Sequence, residues 1–355
     1  MEKGELKELF KKYDSMLRYE QLHRGEVEPA EQTINLEITE EEYEFIVDQY
    51  LKNDNISFAI CTAKQSFEKH PFSCDALIQL CDIYITDNQI DIAEKLLLKY
   101  MDSFELTPAI ALSLSRISVR KGDLEHAKEL YSKALELESD PSSLCDSFHG
   151  LAVDCLEKRY FNEALSLLDK AFDLNMKWCI RNGHQISDEE LFGYYINYAH
   201  AYDGLENFDK AIEYLNKALD IDSFDDGIWT LIAEEYIKTD NPKKAQEALE
   251  YAFSLNKDNF QALLNLGIIN LSLNNLDAAV ENFTALSDSD PKNPLGMLML
   301  ATAHIAKGES SKAEFLYHKV LAIDPQNKEA LNGLEFLENQ KENNKGEEHI
   351  ETEDN

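Results

Sequence analysis

The sequence predicts an all-α fold in which about eight helical hairpins stack into a solenoid. The first observation is an alanine that recurs with five intervals of 34 residues, one of 37 and one of 47. These positions are Ala59, Ala93, Ala127, Ala164, Ala211, Ala245, Ala279 and Ala313. A near-constant period of this size is typical of repeat proteins, whose units bury apolar surface between neighbours. The second observation is composition: 44% of the residues are hydrophobic, and only 13 glycines and 8 prolines interrupt helices.

Within one period, the apolar residues indicate two amphipathic helices. The copy that begins at Asp226 has two runs with helical spacing, Trp229, Ile232, Ala233 and Tyr236, then Ala245, Leu249 and Ala252. Residues 238–242 lie between the runs, and their Asp, Asn and Pro favour a turn followed by a helix start. An Asp290-Pro291 pair ends the second helix of the next copy, because the residue before proline avoids the helical conformation. Each copy is therefore predicted to be a helical hairpin.

Several positions of these copies match a known repeat. One copy has Trp229 in its first helix. The next copy has Leu266-Gly267 in its first helix, Phe283 in its second helix and Pro291 after the second helix. The pattern resembles the tetratricopeptide repeat (TPR), which is Trp-x2-Leu-Gly-x2-Tyr, then Ala-x3-Phe, then Pro, over about 34 residues. The resemblance covers residues 39–341. It implies a right-handed α-α superhelix in which the first helix of each hairpin lines a concave groove.

Residues 1–38 precede the array and predict one further helix and an extended linker. The helix is indicated by an apolar stripe over residues 5–23, made of Leu6, Leu9, Phe10, Tyr13, Met16 and Leu17. It either braces the first hairpin or provides a dimerisation or partner helix. Residues 33–38 alternate apolar and polar side chains and are predicted to be extended. Thr39 with Glu42 predicts a capping box at the start of the array.

The interval between Ala164 and Ala211 is 13 residues longer than the regular period. We expect a longer second helix and a loop, with the insertion at residues 177–190. Insertions between repeats form loops that can bind partners, so Trp178 and His184 are candidates for a partner contact. In the alternative, Trp178 packs back onto its own hairpin.

The last segment, residues 342–355, has six acidic residues and one lysine, and it is predicted to be disordered. The acidity is not confined to this tail, because the whole chain has 68 acidic and 34 basic residues and a net charge of −34. This charge would repel nucleic-acid phosphates and anionic membrane surfaces, so we expect neither as a partner. The charge either serves solubility or selects basic partners.

The sequence contains no indication of secretion, a membrane span, a metal site or an enzyme. Residues 1–7 are mostly charged, unlike a secretory signal, and no apolar run is long enough to cross a membrane, so a cytoplasmic protein is expected. The six cysteines lack Cys-x-x-Cys spacing, so we expect buried free thiols and no metal site. The nine histidines are scattered and no phosphate-binding, metalloprotease or serine-hydrolase motif occurs, so we expect no catalytic site and no cofactor.

The groove that the resemblance implies differs between its two ends. Its first end is predicted to be acidic, with Glu41, Glu44, Asp48, Asp75 and Asp82. Arg116 and Arg120 follow in the third copy and belong to the candidate partner-binding residues. Two roles are open for Arg116: it pairs with Asp82 or a neighbouring acid, or it anchors the carboxylate of a ligand.

The C-terminal end of the groove is predicted to be apolar, and most candidate partner-binding residues lie there. They are Leu264, Ile268, Leu298 and Met299, with Asn197, His200 and Asn265 at groove positions as well. Asn197 and Asn265 resemble asparagines with which some TPR domains hold a peptide backbone, since an amide both donates and accepts hydrogen bonds. In the alternative, a C-terminal helix over residues 329–339 covers part of this surface.

These observations favour a non-catalytic scaffold whose concave groove binds an extended peptide or a helix of another protein. A second hypothesis is a regulatory protein whose superhelical pitch changes when a peptide or small ligand binds. No three successive copies have the lysine, arginine and asparagine clamp of chaperone-binding relatives, so a chaperone carboxyl terminus is not the expected ligand. The sequence does not indicate the identity of the partner, the pathway or the oligomeric state.

Overall fold

The computed structural model describes residues 3–24, 37–101 and 105–353, which form 18 α-helices, one short 3₁₀ helix at Pro141–Leu144 and, within these ranges, no strand. The helices are α1 (Lys3–Arg24), α2 (Glu40–Lys52), α3 (Ile56–Lys69), α4 (Cys74–Thr86), α5 (Ile90–Met101), α6 (Pro108–Lys121), α7 (Leu124–Leu137), α8 (Cys145–Glu157), α9 (Phe161–Asn182), α10 (Asp188–Gly204), α11 (Phe208–Ile221), α12 (Asp226–Lys238), α13 (Pro242–Leu255), α14 (Phe260–Ser272), α15 (Leu276–Ser289), α16 (Pro294–Ala306), α17 (Ser310–Ile323) and α18 (Lys328–Glu353). The chain divides into two compact units, unit 1 (Met1–Ser187) and unit 2 (Asp188–Asn355).

Consecutive helices pair into hairpins in both units. The pairs are α2 with α3, α4 with α5, α6 with α7 and α8 with α9 in unit 1, and α10 with α11, α12 with α13, α14 with α15 and α16 with α17 in unit 2. Within a unit, each first helix also packs against the hairpin before it. This arrangement confirms the predicted all-α repeat fold and is consistent with eight hairpins.

Small residues stand where the helices pack most closely. The eight recurring alanines are all buried, with at most 1% exposure. A Cβ atom on Gly267 in α14 would overlap with the ring of Phe283 in α15. A larger side chain at such a contact costs about 1 to 3 kcal/mol through overpacking. The alanine period is therefore the period of the packing between helices.

The turns between paired helices repeat one backbone conformation. A residue with φ between 55° and 88° occurs five positions before each recurring alanine: Asp54, Asn88, Gly122, Arg159, Glu206, Asp240, Asn274 and Gly308. Asp, Asn and Gly tolerate this left-handed conformation well, whereas arginine and glutamate do not favour it. The turn is thus a property of the repeat, and residue type indicates it at only six of the eight positions.

Helix α1 packs on the first hairpin. Tyr13 and Leu17 are fully buried, and the Tyr13 hydroxyl donates a hydrogen bond of 2.9 Å to Gln65 Oε1 in α3. Asp14 accepts a hydrogen bond of 3.1 Å from the Tyr50 hydroxyl in α2. These contacts favour the brace over the exposed partner helix.

The chain enters the array through the predicted capping box. Thr39 Oγ1 accepts a hydrogen bond from the Glu42 backbone N–H, and the Glu42 carboxylate accepts one from the Thr39 N–H. Of the residues predicted to be extended, 33–36 lie outside the described ranges, and Ile38 is buried.

Helix α9 has 22 residues, compared with 14 in α7, and so contains the first part of the insertion. It ends at Asn182 and is capped by Gly183, whose φ of 70° suits glycine. The Trp178 ring stacks on the ring of His184, with centroids 6.1 Å apart and planes 20° apart. The two candidate insertion residues therefore contact each other.

Helix α18 packs against α17. Ala330 and Leu337 are buried, and Gly333 leaves room for the Tyr317 ring. The helix continues to Glu353, through most of the segment from residue 342 for which the sequence predicts disorder. Glutamate and lysine are good helix formers, which accounts for the continuation. The segment has almost no apolar residue that would attach it to another helix, and residues 354–355 lie outside the described ranges.

The cysteines are free thiols, five of them buried and Cys74 half-buried. Burial raises the pKa of the Cys81 and Cys155 thiols to about 12, so both stay protonated near neutral pH. In the part of the chain that the structure describes, no helix is long and apolar enough to span a bilayer. The same part contains no group of three or more potential metal ligands.

Candidate interaction surfaces

In unit 1, two arginines join the first helices of three successive hairpins. Arg116 Nη1 lies 2.7 Å from Asp82 Oδ1 in α4, and Arg116 Nε lies 2.6 Å from Asp154 Oδ2 in α8. Arg120 Nη2 lies 2.6 Å from Asp154 Oδ1, and Arg120 Nη1 lies 2.5 Å from Glu157 Oε2. We call these five residues the arginine ladder.

The ladder consists mainly of buried charges that neutralise one another. The side chains of Arg116 and Arg120 are 14% and 12% exposed, and that of Asp154 is 1% exposed. Buried charges are tolerated when they are paired and hydrogen-bonded, and here two guanidinium groups share one carboxylate. Of the two roles open for Arg116, the structure therefore shows pairing with acids of the same chain. Arg120 is paired in the same way.

Asp154 is not among the predicted groove residues. Asp82 lies one regular period of 34 residues before Arg116, so the two stand at the same point of neighbouring first helices. The next interval is 37 residues, and Glu157 lies 37 residues after Arg120. Opposite charges at these separations could therefore have predicted the pairs Asp82–Arg116 and Arg120–Glu157, but not the part that Asp154 plays.

The acidic end of unit 1 carries carboxylates close to one another. Partial burial, and then the charges of Asp48 and Asp75, raise the pKa of Glu44. Burial also raises the pKa of Asp48. In the described ranges, none of these three forms an ion pair with a lysine or arginine. These carboxylates therefore lie close together on the first helices α2 and α4 of unit 1.

In unit 2, the predicted partner-binding residues stand on α10, α14 and α16. His200 and Ile268 are exposed, Asn197, Leu264 and Met299 are half-buried, and Asn265 and Leu298 are buried. Leu264 and Ile268 are four residues apart, so they share one face of α14. Leu264 and Met299 both pack against the apolar cluster that contains Phe283 and Leu298.

Leu298 belongs to the core and not to an exposed groove surface. It is 5% exposed and lies in the same apolar cluster as Phe283. Leu112 and Thr230 stand at the same point of their own repeats and are also buried, with 1% and 6% exposure. Its burial in this cluster means that Leu298 contributes to the stability of unit 2.

Two apolar residues at helix starts complete the surface on α14 and α16. Phe260 is 48% exposed and Leu295 is 39% exposed. With Gln261 and Leu264 they line a depression of about 130 Å³, whose other wall is the end of α15. We call Phe260, Leu264, Ile268, Leu295 and Met299 the α14–α16 surface. Phe260 is the first residue of α14, where no groove position was predicted.

Asn265 lies beside this surface, and its amide is already engaged. Its Oδ1 accepts a hydrogen bond of 3.2 Å from Gln261 Nε2. Its Nδ2 donates a hydrogen bond of 3.3 Å to Glu234 Oε1 on α12. Asn265 is 9% exposed, so its role in this structure is to hold the Glu234 carboxylate in place.

Lys238 of α12 is also neutralised within the chain. Its Nζ lies 2.5 Å from Asp203 Oδ1 and 2.9 Å from Glu235 Oε1. Glu235 is 4% exposed, and burial raises its pKa while Lys238 opposes the shift. By contrast, Glu234 forms no ion pair with any lysine or arginine in the described part of unit 2.

Three family models described as tetratricopeptide repeat match the chain. One matches residues 109–141 and 192–225, a second matches 230–294 and a third matches 271–335. The matches fall in both units. Two of the matches in unit 2 overlap and together cover residues 230–335, from α12 into the first part of α18.

Solved structures of low sequence identity also match the chain. The C-terminal part of a TPR repeat-containing protein from Cytophaga hutchinsonii is 15% identical, with a TM-score of 0.56, and the match covers 72% of this chain and 99% of that one. YrrB, described as a TPR protein with an unusual peptide-binding site, is 20% identical over 56% of this chain and 98% of its own, with a TM-score of 0.43. The Cut9-Hcn1 hetero-tetramer of the APC/C is 16% identical over 85% of this chain and 56% of the matched chain, with a TM-score of 0.49. A search of curated protein sequences found no match.

Proposed function

The chain belongs to the tetratricopeptide-repeat family, and from that premise we propose that it is a non-catalytic interaction scaffold. Its ligand is an extended peptide or a helix of another protein, bound on the first helices of unit 2. Stacked repeats suit this role because they present a long surface on which many side chains can contact one partner.

The observation that carries the proposal is the exposure of the α14–α16 surface. Phe260, Ile268 and Leu295 are each between 39% and 48% exposed, and they stand on two neighbouring first helices. Single exposed apolar residues are common, but contiguous ones mark binding surfaces in soluble proteins. The depression lined by Phe260, Leu264 and Leu295 gives a partner side chain a place to insert.

The first helices of unit 1 offer less to such a ligand. Arg116, Arg120 and Asp154 are paired with one another, and a partner that used them would have to break those pairs. We therefore assign the primary site to unit 2.

Affinity capture tests the proposal with the full chain as bait in a lysate of the cells that express it. The test variant is Ile268→Asp with Leu295→Asp, both at exposed positions. The control is Phe315→Asp with Ile323→Asp on α17, which are 59% and 46% exposed and lie outside the depression. Circular dichroism establishes that both variants keep the helical content of the wild type.

We expect the wild type and the control to retain the same partner and the test variant to lose it. If the test variant retains every partner, unit 2 does not bind through this surface and the proposal is wrong. If both variants lose it, α17 belongs to the binding surface too, and the site is not the one assigned.

A further inference from the structure

We propose that the α14–α16 surface binds a basic amphipathic segment of the partner protein. Apolar side chains of that segment contact Leu264, Ile268 and Leu295, and a lysine or arginine of the segment pairs with Glu234. This inference rests on the proposed function, because it gives the chemistry of the partner for the same site.

The apolar half of the inference follows from the shape of the surface. Leu264 and Ile268 stand one helical turn apart on α14, with a rise of about 6 Å between them. Leu295 stands across the depression at the start of α16. A partner segment therefore meets a row of aliphatic side chains and one recess, which matches apolar residues that occur on one side of the segment.

The charged half follows from the way in which Glu234 is held. Asn265 donates to Glu234 Oε1, and Gln261 in turn donates to Asn265. The carboxylate is thus oriented beside the apolar surface, and it retains acceptor capacity because each of its oxygens has more than one acceptor site. An incoming ammonium or guanidinium group would form a charge-assisted hydrogen bond there.

The charges near this site in unit 2 oppose an acidic partner. Lys238 is neutralised by Asp203 and Glu235. Asp290 lines the depression itself, and the chain has 68 acidic residues against 34 basic ones. An acidic segment would therefore meet repulsion at this site, whereas a basic one would be attracted.

Synthetic peptides test the inference with the full chain. The probe is a fluorescein-labelled peptide of leucine and lysine arranged with helical amphipathicity. Two comparison peptides replace all lysines with glutamate or all leucines with serine. Binding is measured by fluorescence polarisation to the wild type, to Glu234→Gln, to Ile268→Ser and to two matched controls. The controls are Glu247→Gln, at an exposed position of α13, and Phe315→Ser on α17.

We expect the leucine-lysine peptide to bind the wild type and both controls equally. We expect Ile268→Ser to weaken binding about tenfold and Glu234→Gln about threefold, and added salt to reduce the effect of Glu234→Gln. Neither comparison peptide should bind as tightly.

Other outcomes separate the failure of this inference from that of the proposed function. If the leucine-glutamate peptide binds as well as the leucine-lysine peptide and Ile268→Ser weakens both, the surface is a binding site but its partner is not basic. If Glu234→Gln and Glu247→Gln behave alike, the proposed pairing with Glu234 is wrong. If no peptide responds to Ile268→Ser, both the inference and the assignment of the surface are wrong.

Discussion

The two units place different chemistry at the same point of the repeat. Asp82 and Arg116 in unit 1 correspond to Glu234 and Ile268 in unit 2, each 11 residues before its recurring alanine. In unit 1 the two side chains form an ion pair of 2.7 Å across neighbouring first helices. In unit 2 Ile268 is 46% exposed, and Glu234 is held by an amide. The repeated backbone gives these residues equivalent positions. The type of side chain then determines whether the residue links neighbouring hairpins or remains exposed to a partner.

This difference assigns separate tasks to the two surfaces. The arginine ladder contributes to the stability of unit 1, because its charges are mostly buried and satisfied by one another. The α14–α16 surface contributes little to stability, because its residues remain partly in water. Substitutions in the ladder should therefore change the free energy of unfolding, and substitutions on the surface should change binding.

The largest effect is expected from Asp154→Ala in the ladder. The substitution leaves Arg116 and Arg120 mostly buried without their shared carboxylate, which should lower the free energy of unfolding by about 3 kcal/mol. Urea unfolding of the full chain, followed by circular dichroism, measures the change. Binding of the leucine-lysine peptide to the folded variant should stay the same.

Glu157→Ala is the matched control for this prediction. Glu157 also pairs with Arg120, but its side chain is 51% exposed, so its loss should cost less than about 1 kcal/mol. Equal losses from the two variants would contradict the view that burial makes the ladder important.

A smaller effect is expected from Gly267→Ala in α14. The new methyl group would overlap with the Phe283 ring, so overpacking of about 1 to 3 kcal/mol outweighs the higher helix propensity of alanine. To relieve this overlap, α14 should shift away from α15. The shift should also weaken peptide binding, because Leu264 and Ile268 stand on α14. Thermal unfolding and fluorescence polarisation measure the two consequences.

Gly193→Ala in α10 supplies the comparison within unit 2. Apart from the neighbouring residues and backbone of α10 itself, no atom lies within 4 Å of the place of a Cβ at Gly193, so alanine should stabilise the helix by about 0.5 to 1 kcal/mol. A loss of stability at both glycines would mean that close packing is not what distinguishes Gly267.

The sequence predicted the fold almost completely because the fold repeats. The alanine period located the hairpins, and Thr39 with Glu42 located the start of the array. The extension of α18 to Glu353 did not follow from the sequence. A charged segment without apolar periodicity lacks the packing signal that separates helix from disorder, so only propensity remains to decide.

The candidate site was less predictable because burial depends on the neighbouring hairpin. Leu264 and Leu298 occupy the same point of successive repeats, yet one is half-buried and the other is in the core. Helical periodicity predicts which residues share one face of a helix. It does not predict which other parts of the protein pack on that face. The polar contacts of Asn265 were also hidden, since they depend on side-chain conformations of Gln261 and Glu234.

Effects as small as that of Gly193→Ala are expected at the turns, which the two units share. Arg159 in unit 1 and Glu206 in unit 2 have φ of 63° and 59°, where L-residues are disfavoured and glycine is not. Arg159→Gly and Glu206→Gly should therefore each raise the free energy of unfolding by about 0.5 to 1 kcal/mol, despite the added flexibility of the unfolded chain. Urea unfolding measures both changes. Equal gains in the free energy of unfolding would mean that the units differ in the side chains of their first helices and not in their turns. A gain in one unit and a loss in the other would show that their backbones differ as well.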